Sequence, residues 1–269
     1  MVDQPLTLPP GKKFRLQDFD PDFTGPFKKK GDAEKATAKN LERLHELQEM
    51  LYAQGEHALL VILQAMDAGG KDGAIEHVMG AFNPQGVQVT AFKVPTEEEL
   101  AHDFLWRVHK AAPRRGMIGI FNRSHYEDVL VVRVKGLAPE EVWKQRYAHI
   151  NAFERLLATS GVTMVKFYLH ISKEEQAKRL RERQVTPSKQ WKFAPGDLEE
   201  RTRWDAYMQA FEDALTKCNT EAAPWYVIPA NRKWYRDFAI SQVLVETMEK
   251  MRPAYPPPVA NIEQYEIPA

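Results

Sequence analysis

The apolar run Leu59-Leu60-Val61-Ile62-Leu63 passes almost directly into Ala65-Met66-Asp67-Ala68-Gly69-Gly70-Lys71-Asp72-Gly73, and this junction constrains the fold more than any other stretch. Five consecutive aliphatic side chains leave no polar face, so a strand built from them must be covered on both sides, as in a parallel sheet flanked by helices. The glycines allow a tight turn, and a helix is expected from Ala74 to Phe82. Strand, glycine turn and helix form a phosphate-binding layout: backbone N–H groups converge on an anion, the helix start adds its positive end, and Lys71 adds a full charge.

The loop matches the nucleotide-binding pattern G-x-x-x-x-G-K-[ST] only in part. Ala65 stands at the first glycine and Asp72 at the hydroxyl position. Asp67, inside the loop, would repel a phosphate unless a cation lay between them, and magnesium held by one or two carboxylates and phosphate oxygens resolves that conflict.

The 269 residues suit one large domain or two small ones, with 43% hydrophobic content for a core. Lys plus Arg and Asp plus Glu balance at 37 each, so an anion site must arise from local clustering, and nucleic acid is not favoured as a partner. The single Cys218 excludes an intrachain disulfide and a cysteine–zinc cluster. Residues 1–10 do not resemble a signal peptide and no apolar run approaches the ~20 residues of a membrane helix, so no membrane is expected and a cytoplasmic protein is the default.

Along the chain, residues 1–33 read as an extended arm anchored by Phe14, Leu16, Phe19, Phe23 and Phe27. A helix is expected from Asp32 to about Gln54, with Leu41, Leu44, Leu47 and Leu51 inward. Further strands are expected at Val87–Phe92, Met117–Phe121, Thr163–His170 and Trp225–Pro229. Helices are expected from Thr96 to His109, from Pro139 to about Ala158 (Val142, Ile150, Phe153 and Leu157 inward), from Ser172, from Asp197, and after Asn231. The alternation argues for one α/β domain, residues 34–252, on a five-stranded parallel sheet, followed by a Pro-rich tail at 253–269.

Two polar segments follow strands and would meet at their carboxyl ends, where open parallel sheets collect ligands: the glycine loop and Asn122-Arg123-Ser124-His125-Tyr126-Glu127-Asp128. Between Lys178 and Lys192 six basic residues face one acidic residue, Glu182. Joined in one site, these pieces suit phosphoryl transfer, which needs positioning and charge neutralisation more than covalent chemistry. Asp67 and Asp128 are the candidate metal ligands, for Mg2+ with Mn2+ as a substitute. Lys71 and the amides of Ala68, Gly69, Gly70, Asp72 and Gly73 would bind phosphates, and Arg123, Arg179 and Arg183 would clamp the remaining oxygens. Asn122, Glu127 and Lys178 complete the set facing phosphate or nucleotide. Arg179 and Arg183, four residues apart, share a helix face, and residues 178–196 are expected to form a closing lid. His125 is read as structural or substrate-orienting.

The segments 67–73 and 121–128, with Lys178 to Phe193 and Trp225 to Asn231, resemble the polyphosphate kinase 2 family over about residues 34 to 250. The resemblance implies a thymidylate-kinase-like, three-layer P-loop kinase fold with a helical lid. It also implies magnesium-dependent transfer between inorganic polyphosphate and nucleotides, and a homo-oligomer, dimer or tetramer. Asp67, Lys71, Asp72, Arg123, Asp128, Arg179 and Arg183 align with family positions for metal, phosphate or lid contacts. Glu127-Asp128, where many members carry Asn-Arg, resembles the branch that accepts nucleoside mono- and diphosphates, so AMP to ADP and ADP to ATP are expected, reversibly in principle. An ATP-dependent nucleoside monophosphate kinase and a non-catalytic polyanion-binding module are the rival readings.

Overall fold

The computed structural model describes residues 5–268; the first four residues of the expected arm and Ala269 of the tail lie outside them. In chain order the elements are α1 (Lys30–Gln54), β1 (Ala58–Gln64), α2 (Lys71–His77), β2 (Val87–Ala91), α3 (Glu97–Leu100), α4 (Trp106–Ala111) and β3 (Ile118–Asn122). They continue with α5 (Val131–Val134), α6 (Glu140–Thr159), β4 (Val162–His170), α7 (Lys173–Val185), α8 (Pro195–Thr202), α9 (Trp204–Lys217), β5 (Trp225–Pro229) and α10 (Lys233–Met251). The five strands are all parallel in the order β2-β3-β1-β4-β5, with Leu59 opposite Ile118 on one side and Thr163 on the other.

Crossover handedness turns this order into three layers. The β1-to-β2 connection runs one way across the sheet and the later ones run the other way, so right-handed crossovers place α2 on one face and α4, α6 and α9 on the opposite face. α10 packs on α1, α2, β4 and β5, and α5 packs on α6 and α9. All seven residues of β1 are buried, as a central strand between two helical layers requires. The chain leaves β1 toward one face and β3 toward the other, which opens a crevice beyond their carboxyl ends.

The amino-terminal arm is part of the packed body. Phe14, Leu16 and Phe19 are buried, Leu6 O accepts a 2.7 Å bond from Val227 N, and Thr7 Oγ1 donates to Trp225 O at 2.6 Å. The arm thereby covers the β5 edge of the sheet. No helix among the described residues is long and apolar enough to cross a membrane.

Several boundaries differ from expectation. The second helix begins at Lys71 and stops at His77, followed by a separate 3-10 turn at Met79–Ala81. The 96–109 helix is two short ones, because the Thr96–Glu99 capping box starts a helix that ends at Leu100 and Leu105 N bonds Asp103 Oδ1 before the next begins. α8 starts at Pro195 and α9 is distinct from it, breaking at Arg203. Val142, expected inward, is 41% exposed.

One charge stands in the middle of the apolar strand β4. Lys166 is fully buried and donates to Glu154 Oε2 at 2.6 Å, Tyr126 Oη at 2.7 Å and Cys218 O at 2.7 Å. Glu154 Oε1 also meets Tyr126 Oη at 2.8 Å and His125 Nε2 at 3.2 Å. A buried charge persists only when paired and hydrogen-bonded. This network pins His125 and Tyr126, and with them the turn that carries Arg123 and Glu127.

Candidate active site

The crevice at the ends of β1 and β3 is a cleft of about 590 Å³ lined by residues 67–73, Asn122, Arg123, Arg179, Arg183, Lys189, Lys192, Lys233 and Arg236, among others. Nine Lys and Arg side chains border it against four carboxylates, a local cationic excess in a chain of zero net charge.

The loop's backbone is set by two glycines. A Cβ on Gly69 would lie 2.5 Å from Ala65 Cβ and 2.7 Å from Met66 O. Gly70 has φ of 104° and sits against Arg236 Nη1. Ala68 also occupies the left-handed region, at φ 60°, a conformation a non-glycine residue holds only under surrounding constraint. Part of that constraint comes from behind. Arg179 Nη1 donates to Ala68 O and Gly69 O, both at 3.1 Å, and Nη2 to Ala230 O at 2.5 Å and Asn231 O at 3.2 Å; Nε pairs with Glu175 at 2.8 Å. Arg236 Nη1 takes Gly70 O at 3.0 Å. With their carbonyls held back, residues 68–73 line the cleft, and the first N–H groups of α2 have no acceptor within the helix.

Lys71 is buried and donates to Ala65 O at 3.0 Å. Burial lowers its pKa to about 8, aided by the charge of Arg123 and opposed by Asp67, Glu127 and Asp72. Asp72 accepts from Asn122 Nδ2 at 2.9 Å and faces Lys192 at 3.7 Å; burial opposes its ionisation, but these partners hold it below the usual carboxylate range. Arg123, itself at φ 62°, bridges two carboxylates: Asp67 Oδ1 at 2.5 Å and Glu127 Oε2 at 3.4 Å.

Three expectations need correction. Asp128 is not among the residues that line the cleft with Asp67, and Arg146 Nη1 binds both its Oδ1 at 2.9 Å and its carbonyl at 3.1 Å. Burial pushes its pKa up to about 6 against the pull of Arg146 and Arg107. The physical reason is the 3-10 turn His125–Asp128, in which adjacent side chains diverge, so Glu127 and not Asp128 joins Asp67 around Arg123. Arg179 is not a free lid residue but a buried support of the loop. Lys178 is exposed, pairs with Glu175 at 3.6 Å and does not line the cleft. Arg183 does line the cleft, donating to Asp197 at 2.9 Å and Lys192 O at 3.2 Å. His125 is buried and bound to Glu154, a structural residue.

Sequence reasoning missed Arg236, Gln64 and the Lys166–Glu154 pair. A lysine inside an apolar strand and a glutamine ending one were the available signals. Arg236 carried none, because its partner Gly70 is 166 residues away. No group of three or more His, Cys, Asp or Glu side chains suited to a metal occurs among the described residues, so a metal here would need substrate oxygens.

Comparison with known proteins agrees with this geometry. The family model for polyphosphate kinase 2 matches residues 27–256. The AMP/ADP-polyphosphate phosphotransferase of Meiothermus ruber is 56% identical over 256 residues, 95% of this chain and 96% of that protein. The ADP-polyphosphate phosphotransferase of Rhodopseudomonas palustris is 49% identical over 80% of this chain and 79% of its own length. The crystal structure of polyphosphate kinase 2 from Arthrobacter aurescens TC1 superposes with a TM-score of 0.92 at 48% identity, covering 96% of this chain and 92% of that one. A glycine loop backed by buried arginines, a cationic cleft at the β1/β3 crevice and these matches place the chain in the polyphosphate kinase 2 family.

Proposed function

We propose that this protein transfers phosphoryl groups from inorganic polyphosphate to nucleoside mono- and diphosphates, taking AMP to ADP and ADP to ATP. The observation that carries the reading is the cleft itself, in which one glycine loop and a ring of cations can neutralise two polyanions brought end to end. Lys71 and the loop amides would bind one phosphate chain; Arg123 and Arg183 would hold the other. Lys189, Lys192 and Lys233 extend the cationic lining along the cleft.

Asp67 would hold magnesium together with oxygens of the bound phosphates. The fit rests on its chemistry, a hard oxygen donor in the cleft already facing one cation, Arg123. Bound magnesium would neutralise charge on the phosphate oxygens. Residues 184–196 would form the movable part of the lid, since α7 is fixed to the loop by Arg179. Manganese as a substitute ion and assembly into dimers or tetramers belong to the same proposal.

The test is incubation with AMP, magnesium and long-chain polyphosphate, without ATP. ADP followed by ATP is expected. Turnover that requires ATP as the donor would overturn the reading in favour of a monophosphate kinase.

A further inference from the structure

Gln64 is the last residue of β1 and is fully buried, the one polar side chain in a strand otherwise made of Ala, Leu, Val and Ile. A primary amide in such a place must find both donors and acceptors. The orientation that satisfies its surroundings has Nε2 donating to Glu127 Oε1 at 3.0 Å, while Oε1 accepts from Ser124 N at 3.2 Å and Ser124 Oγ at 3.1 Å. The opposite orientation would set the amide oxygen against the carboxylate.

Glu127 is thus held at both oxygens, by Gln64 on Oε1 and by Arg123 on Oε2. The two holds differ in kind. Arg123 reaches Glu127 at 3.4 Å and Asp67 at 2.5 Å, so its grip on Glu127 is the looser one. The neutral amide fixes the Glu127 carboxylate without cancelling its charge. It therefore leaves that charge available to Arg123, whose backbone is already tied to the end of β1 by Arg123 N to Leu63 O at 3.1 Å. Whenever Asp67 is engaged by a substrate or its cation, Glu127 is the remaining carboxylate hydrogen-bonded to the Arg123 guanidinium among the described residues.

We infer that Gln64 is a positioning residue for the transfer reaction, acting through Glu127 to hold Arg123 in the cleft. This deepens the site reading above and rests on it. The residue touches no substrate; its work is to keep one carboxylate still.

The experiment is a double-mutant cycle of Gln64→Met and Glu127→Gln, with kcat and KM for AMP measured at saturating polyphosphate and magnesium, and Tm measured alongside. A hydrogen bond to a charged group is worth about tenfold to a hundredfold in an equilibrium, and a loss of that size in kcat is the effect expected here. Gln64→Met is expected to lower kcat by that amount with KM for AMP changed less than threefold, and to add nothing further in the Glu127→Gln background. Equal losses from Gln64→Met in both backgrounds would overturn the proposal, since Gln64 would then act on the fold alone. The exchange Gln64→Glu with Glu127→Gln serves if Gln64→Met fails to fold: it restores the amide–carboxylate bond but moves the charge away from Arg123. Wild-type Tm with kcat as low as in Glu127→Gln alone is expected, and full recovery of kcat would overturn the proposal. Arg123→Met distinguishes the two levels: an unchanged rate in that variant sinks the site reading itself, whereas a lost rate with additive Gln64 effects sinks only the positioning role.

Discussion

Replacing Arg179 by methionine separates two views of α7. If Arg179 were a lid residue reaching for phosphate, the variant would lose activity and keep its stability. The structure argues otherwise: the guanidinium makes five hydrogen bonds, to the carbonyls of Ala68, Gly69, Ala230 and Asn231 and to Glu175, and the residue is 6% exposed. Hydrogen bonds to a charged group contribute roughly 1.5–3 kcal/mol each, but they are not additive, and water in the adjacent cleft can replace those at Ala68 and Gly69. The Ala230 and Asn231 carbonyls and Glu175 lose their partner with less relief, so the net cost is about 3–5 kcal/mol, as for other broken buried ion pairs. For a domain of this size that lowers Tm by roughly 10 °C. Urea and thermal unfolding followed by circular dichroism measure it, with kcat in parallel. Arg179→Lys, able to reach one carbonyl, should fall between. A methionine variant as stable as wild type, with only a higher KM for polyphosphate, would refute the reasoning and return Arg179 to the lid.

Four further outcomes follow from the same site. Because burial holds Lys71 near pKa 8 in the free protein, anion binding that needs the charged form must take up a proton above that pH. KM for polyphosphate is then expected to rise about tenfold per unit between pH 8 and 9.5, and a flat profile would contradict it. Gly70→Ala forces a φ of 104° on alanine and sets its Cβ against Arg236, so it should cost about 2 kcal/mol or more in urea unfolding and most of the activity. Asp67→Asn is expected to lower kcat by about a thousandfold, in the range of lost electrostatic groups at reacting centres. Asp128→Asn, outside the cleft beside Arg146, should change kcat less than tenfold, and equal losses would restore Asp128 to the metal site.

The sheet and the glycine loop were legible because their signals are local. Largely apolar runs at 59–63, 117–121, 163–170 and 225–229 mark strands wherever they fold, and Gly69 answers to steric demands within a few residues and Gly70 to its own positive φ. The site's finer geometry was not local. Glu127 and Asp128 are neighbours of equal charge, and only the 3-10 turn decides which of them faces Arg123. Arg179 and Arg183 share a helix spacing, yet Arg179 is buried against the loop while Arg183 lies further along α7 and meets α8 through Asp197. Lys166 shows the limit from the other side: its place in an apolar strand announced a partner, but spacing could not name Glu154, Tyr126 and the Cys218 carbonyl together.

The strap along β5 has a consequence for how copies of this chain can adhere. With Leu6 occupying that margin, the sheet presents bare main-chain groups only along β2, which has no strand beyond it among the described residues. Margin-to-margin joining through β2 therefore stops at two molecules, because each joined molecule has already covered its far side with Leu6 and Thr7. Removing that strap would give the sheet two sticky sides and, with them, a route to unlimited fibrous growth.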